Sequence, residues 1–81
     1  MLLHEFFQRA ESRYMYNGIS WGQSFSYELD SIRPDLAKKI YRTDCDPFLV
    51  SKNRGIGNPQ WDRFVAFIHE NWNKELPQEE Q

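Results

Sequence analysis

The run Asn58–Trp72, NPQWDRFVAFIHENW, carries the clearest structural pattern in the sequence. An Asn-Pro pair is typical of a helix start, because the Asn side chain caps free amides and proline at the first helical position lacks an N–H that would otherwise be unsatisfied. The apolar side chains that follow at helical spacing are Trp61, Phe64, Val65, Ile68 and Trp72. We therefore expect an amphipathic helix from Pro59 to about residue 73, with Phe67 at the margin of its apolar face.

A second helix is expected over about 21–32. Ser20 followed by Gln23 is a capping-box pattern, in which each side chain satisfies a free amide at a helix start. The apolar stripe consists of Trp21, Phe25, Leu29 and Ile32. The other faces carry the polar residues Gln23, Ser24, Ser26, Glu28 and Asp30. Gly22 weakens the first turn by about 1 kcal/mol relative to alanine, which suggests a close packing contact there.

Two more helices complete the pattern. Residues 2–16 place apolar side chains at helical spacing, and Asn17-Gly18 then supplies residues that tolerate positive φ and end helices. A short helix is expected over 34–42, because Pro34 suits a first helical position. The inner face of that short helix comprises Leu36, Ala37, Ile40 and Tyr41.

The connecting segments complete the predicted fold. Residues 43–47 are of types that favour a turn. For 48–50 the sequence allows either a helical turn or a short extended piece, because the segment is too short for its periodicity to decide. Residues 51–58 are predicted to form an exposed loop. The sequence thus predicts an all-α bundle of about four helices, in which the first, second and fourth close on the third. We expect one helical domain over 1–74 and a flexible, disordered tail over 75–81.

Length and composition indicate one small domain in a reducing compartment. The chain has 81 residues, 16% of them aromatic, and aromatic rings anchor a small core effectively. A single cysteine, Cys45, excludes an intramolecular disulfide. The N-terminal run has neither the basic region of a signal peptide nor the length of a membrane span, so we expect a cytoplasmic protein with no membrane association.

No group of residues has the spacing of a catalytic, metal or cofactor site. His4 and His69 each stand alone, whereas a zinc site needs several ligands at fixed spacing. Cys45 lies between two aspartates, which raise rather than lower a thiol pKa. The glycines of 55–59 lack the Lys-Ser/Thr of a phosphate-binding loop. We therefore expect a binding protein that is not an enzyme and uses no metal or cofactor.

Two features point to where binding occurs. From Arg33 to Arg54 the chain has six bases and three acids, and it has more aromatic residues than a small core encloses. The expected partner-binding residues are Tyr41, Arg42, Phe48, Lys52 and Arg54. Asp46 and Pro47 are expected to shape the turn between them. A solvated charged face and half-buried tyrosines are the plainer interpretations. The partner is expected to be a protein, and the alternative is a nucleic-acid-binding module that uses the basic region 33–54.

One resemblance adds a biological context. Its residues are Trp21-Gly22-Gln23, Arg33-Pro34-Asp35-Leu36-Ala37, Ile40, Thr43-Asp44 and Asp46-Pro47-Phe48. Over about 21–72 the chain resembles short proteins of tailed bacteriophages and prophages, which share a Gly-Gln, a Pro-x-Leu segment, a Thr-x-x-Asp-Pro-Phe turn and a final Trp-bearing helix. The chain departs from that pattern in its longer SKNRGIGNP loop and its extra N-terminal helix. The resemblance implies an accessory protein in a bacterial cytoplasm that binds and modulates a host protein, and it supplies no catalytic residues.

Overall fold

A computed structural model describes residues 1–74 and confirms the expected all-α architecture. Within that range the helices are α1 (Leu3–Asn17), α2 (Trp21–Ile32), α3 (Pro34–Ile40) and α4 (Pro59–Asn71), with one 3₁₀ turn at Asn53–Gly55. No strand occurs among these residues. The disordered tail predicted for 75–81 lies outside the described residues.

The helix ends have the capping contacts that the sequence indicates. Ser20 Oγ accepts a hydrogen bond from the Gln23 amide at 3.2 Å, and Gln23 Oε1 accepts one from the Ser20 amide at 3.3 Å. Asn58 Oδ1 accepts from the amides of Gln60 and Trp61 at 2.8 and 3.3 Å. These bonds satisfy amides that a helix leaves free at its start. The starts of α2 and α4 are therefore confirmed.

The third helix is shorter than predicted, and one residue of the 51–58 loop is buried. We expected helix to residue 42, but α3 ends at Ile40, and Arg42 has a left-handed backbone with φ 61°. Residues 51–58 are mostly exposed, as predicted, but Gly55 is buried against the Trp61 ring. In both places, contacts with side chains four to six residues further along the chain accompany a backbone conformation that helical spacing does not predict.

The second helix is the centre of the bundle. The Phe25 ring lies 4.8–6.1 Å, centroid to centroid, from five other rings, those of Phe6, Phe7, Trp21, Trp61 and Phe64. Such edge-to-face and tilted ring pairs contribute about 0.5–1.5 kcal/mol each beyond their buried area. The expectation that three helices close on the third is therefore wrong, because α1 and α4 pack around α2 and α3 adds Leu36 and Ile40 at one side.

Chain direction follows from the residue pairs. Tyr14, late in α1, contacts Trp21 at the start of α2 with ring centroids 5.1 Å apart, and Phe6, early in α1, contacts Phe25 further along α2 at 5.7 Å, so α1 and α2 are antiparallel. At the other end, the Arg33 guanidinium lies 5.2 Å from the centroid of the Trp72 ring and donates to the Trp72 carbonyl at 2.6 Å. Arg33 also forms a two-bond ion pair with Asp35. Arg33 thus ties the α2–α3 junction to the end of α4.

One buried acid departs from the predicted polar face of α2. Glu28 is only 2% exposed, and its carboxylate accepts hydrogen bonds from Arg9 at 2.7 Å and from Arg13 at 3.0 and 3.1 Å. Burial raises the pKa of Glu28, but the hydrogen bonds and charges of Arg9 and Arg13 outweigh burial and leave this pKa below its usual value. The pair of arginines therefore joins α1 to α2 through one carboxylate.

Gly22 makes the close contact that its position suggests. Its amide donates to the Val50 carbonyl at 2.7 Å. A Cβ at this position would lie 1.8 Å from the Pro47 carbonyl oxygen and 2.6 Å from that of Val50. Both neighbours are backbone atoms, so they cannot move aside as a flexible side chain would. Only glycine fits here.

Gly22→Ala is expected to destabilise the fold. Helix propensity alone would raise stability by about 1 kcal/mol, whereas overpacking against backbone costs about 3 kcal/mol. Denaturant unfolding of both proteins measures the difference. Gly57→Ala is the control, because Gly57 has φ 81° with no atom within 4 Å of a Cβ, and we expect it to lose only about 1 kcal/mol. A Gly22→Ala protein as stable as the parent would contradict the contact.

Glu28→Gln is expected to remove a pH-dependent part of stability. The folded-state pKa of Glu28 is lowered, so its contribution is complete above the unfolded value of about 4.3 and is lost as pH falls through the folded value. At neutral pH the substitution should cost about 3 kcal/mol, at the lower end for a broken buried ion pair because both arginines remain partly exposed. Urea unfolding from about pH 7 to about pH 3 should show the two proteins converging. A constant difference over that range would refute the assignment.

Candidate protein-binding surface

The segment after α3 is a turn organised by Asp46. One carboxylate oxygen of Asp46 accepts from the Arg42 amide at 2.8 Å and the other accepts from the Phe48 amide at 3.0 Å. The Val50 amide donates to the Pro47 carbonyl at 2.9 Å, so 48–50 belongs to a hydrogen-bonded turn and is not the extended piece that the sequence also allowed. Asp46 thereby sets the backbone on both sides of the turn, as expected of it.

A groove lies between α2, α3 and this turn, with a cavity volume of about 350 Å³. Its lining includes the apolar side chains Leu29, Ala37, Ile40 and Pro47, and the aromatic side chains Tyr27, Tyr41 and Phe48. The Tyr27 and Phe48 rings meet edge-to-face with centroids 6.1 Å apart. We call this concavity the α2–α3 groove. Its volume is within the range of small-ligand and side-chain pockets.

A second depression of about 400 Å³ adjoins the groove and shares Tyr41, Asp46 and Phe48 with it. Its other lining residues are Arg42, Thr43, Leu49 and Gln60. Tyr41 and Leu49 are 67% and 81% exposed, although both are large and apolar. The groove and the depression therefore form one surface on which apolar and aromatic side chains face solvent.

Three of the five predicted partner-binding residues come together on this surface. Tyr41 and Phe48 line both concavities, and Arg42 lines the depression. Arg54 is elsewhere, with its guanidinium 5.4 and 5.8 Å from the ring centroids of Trp21 and Tyr14. Lys52 is exposed and lines neither concavity.

The five predicted partner-binding residues do not include Tyr27 and Leu49, which also line this surface. Tyr27 is 45% exposed and lies off the apolar stripe of α2, so an aromatic residue among polar neighbours was the available signal. Leu49 had no such signal. Its exposure results from a turn whose conformation depends on Asp46, and periodicity over so short a segment does not predict that turn.

The two histidines and the cysteine considered as catalytic or metal-binding candidates lie apart from one another on the helices and in the turn. His4 and His69 are exposed on their helices. Cys45 is half-buried, and burial, with a smaller contribution from Asp44, raises the pKa of its thiol, in the direction expected from its sequence neighbours. In the part of the chain that the structure describes, no three His, Cys, Asp or Glu side chains form a group suited to a metal ion.

Comparisons with known proteins give no indication of function. No protein-family model matches the chain, and no match is found among curated proteins or solved structures. None of the helices within residues 1–74 combines the length and apolar character needed to cross a bilayer.

Asp46→Ala is expected to loosen the turn, because the amides of Arg42 and Phe48 would both lose a charged acceptor. Hydrogen bonds to charged groups contribute about 1.5–3 kcal/mol, so we expect a loss of about 2 kcal/mol in denaturant unfolding. The matched control is Asp44→Ala in the same turn. Asp44 is largely exposed and its 3.5 Å ion pair with Arg63 is worth at most about 1 kcal/mol. Equal losses in the two variants would contradict the role given to Asp46.

Proposed function

We propose that this protein is a small interaction module that binds a protein partner through the α2–α3 groove and its adjoining depression, and that it acts by binding rather than by catalysis. The observation that carries the proposal is the exposure of Tyr27, Tyr41, Phe48 and Leu49 around two adjoining concavities. Aromatic side chains dominate the binding energy of protein interfaces, and a patch of apolar groups around a pocket is typical of a docking site.

The rigidity of the turn supports the same proposal. Asp46 holds the amides of Arg42 and Phe48, and the side-chain amide of Gln60 donates to the Asp46 carbonyl. Residues 41–50 are therefore anchored to α4 as well as to α2, where Gly22 binds Val50. A surface that is already ordered loses less conformational entropy on binding than a loose one.

The basic middle of the chain supports nucleic-acid binding less well. Arg33 is paired with Asp35 and bonded to the Trp72 carbonyl, and Arg54 lies against the rings of Tyr14 and Trp21. Binding to phosphates would remove these arginines from contacts that stabilise the fold. The groove itself is lined mainly by apolar side chains, whereas phosphate recognition requires a continuous basic face. These observations favour a protein partner.

The setting that we propose is a bacterial cytoplasm, with the protein as a phage or mobile-element accessory factor that modulates a host protein by docking. The motif resemblance over about 21–72 supports this setting. Two of its elements contribute to the groove, because Gly22 receives the turn and the Asp46-Pro47-Phe48 motif forms it. The motif and the proposed binding surface thus overlap in part, at Ala37, Ile40, Thr43 and 46–48.

The test is affinity capture from bacterial lysate with the whole chain as bait and mass spectrometry of the bound proteins. The Tyr41→Ala/Leu49→Ala variant should lose a defined partner by at least about tenfold, because a single buried anchor contributes more than about 1.4 kcal/mol. Tyr41 and Leu49 are strongly exposed, as are the two residues changed in the control variant described next, so the fold should survive each change.

The matched control is Tyr16→Ala/Ile56→Ala, which removes one tyrosine and one aliphatic side chain outside the two concavities. It should capture the partner at the parental level. Loss of the partner in the control, or its retention by the groove variant, would refute the proposed surface. Binding to random duplex DNA with a steep salt dependence would instead support the nucleic-acid function.

A further inference from the structure

We propose that Arg9 and Arg13 form a binding site for a phosphate group where α1 packs on α2, apart from the α2–α3 groove. The inference goes beyond the proposed function, because this site has no lining residue in common with the groove or the depression. It follows from the way in which one buried carboxylate holds two guanidinium groups beside an open concavity.

The two arginines are held side by side by Glu28. The Arg9 Nε donates to one carboxylate oxygen of Glu28 at 2.7 Å, and the Arg13 Nε and Nη2 donate to the other at 3.1 and 3.0 Å. A free arginine side chain has many rotamers, and ordering it on binding costs free energy. Because Glu28 already orders this pair, an anion binds them with a smaller entropy loss.

The guanidinium edges that point away from Glu28 keep unused donors. Arg9 bonds Glu28 through Nε alone, so within residues 1–74 its Nη1 and Nη2 groups make no hydrogen bond, and neither does Nη1 of Arg13. The two side chains are 58% and 34% exposed, respectively. The paired terminal N–H groups of a guanidinium match two oxygens of a phosphate, which makes arginine well suited to phosphate recognition.

The charge around the concavity favours an anion. Arg9 and Arg13 supply two positive charges and Glu28 one negative charge, which leaves one positive charge in the lining. The Glu28 side chain is only 3% exposed, and both of its oxygens are bonded to the arginines. Glu11 lies two positions from each arginine along α1, and residues at that spacing do not face each other on a helix. Glu5 is engaged at the start of α1.

The concavity is large enough for a phosphate group and a small organic group attached to it. Its volume is about 380 Å³, and the remaining lining residues are Ser12 and Asn17, both exposed. A hydroxyl and a carboxamide donate to phosphate oxygens and also bond to hydroxyl groups. Every residue in the lining is polar, so the site suits a polar phosphorylated molecule rather than an apolar one.

The test is an NMR titration of the whole chain at constant ionic strength. The probes are inorganic phosphate and glycerol phosphate, and glycerol is the control without phosphate. Both phosphates should give saturable shifts at the Nε–H signals of Arg9 and Arg13 and at the Ser12 amide. Glycerol should give none. Tighter binding of glycerol phosphate would assign the site to a phosphorylated small molecule, and equal binding would assign it to the free ion.

Arg9→Lys separates phosphate binding from the ion pair with Glu28. Lysine keeps the charge and a donor for Glu28 but lacks the paired N–H edge, so binding should weaken about tenfold, as for the loss of one hydrogen bond to a charged group. Arg63→Lys is the matched control, because Arg63 also pairs with a carboxylate, that of Asp44, and lies outside the concavity. This control should bind phosphate like the parent.

Ser12→Ala leaves the contacts of Glu28 in place and should also weaken binding several-fold, so the inference stays testable even where Arg9→Lys loosens the helices. Shifts that sodium chloride alone reproduces, shifts that do not saturate, or parental affinity in both variants would overturn the inference. The capture experiment judges the proposed function separately, because it changes residues of another surface.

Discussion

The close approach of Gly22 to the 47–50 turn is the contact on which the candidate site depends. The Gly22 amide binds the Val50 carbonyl, and the space that a side chain would need is filled by backbone oxygen. The 47–50 turn packs against the start of α2, and its Phe48 ring contacts the ring of Tyr27 further along that helix. This ring pair forms one side of the groove.

The aromatic core lets so small a domain hold this contact in place. A chain of this size buries only about 60% of the surface that its unfolded form exposes, so each buried ring matters. Phe25 lies on the inner side of α2 among rings from α1 and α4, while Tyr27 lies on the outer side of the same helix and contributes to the groove. Packing on one face of α2 therefore fixes the position of the candidate surface on the other.

The sequence predicts the parts of this structure that are coded locally. The Ser20–Gln23 box and the Asn58 cap define helix starts through neighbouring side chains, and α2 has the predicted bounds. Glu28 was assigned to a polar face because the arginines that surround it come from another helix. Tyr41, Arg42 and Phe48, predicted to bind a partner, lie on one surface because one turn joins them. The sequence groups Arg54 with them as a base of the region 33–54, whereas in the structure its guanidinium lies against the rings of Tyr14 and Trp21.

The backbone at Arg42 links stability to the proposed role. A left-handed residue after a helix is usually glycine, because any side chain there costs roughly 1 kcal/mol or more. Arg54 also has positive φ, and its contacts with two rings compensate within the fold. Arg42 has only the exposed ring of Tyr41 beside it, and the bond from its amide to Asp46 would be equally available to glycine. The stability of residues 1–74 therefore does not explain an arginine at this position, whereas the binding surface proposed above would use a cation at its edge.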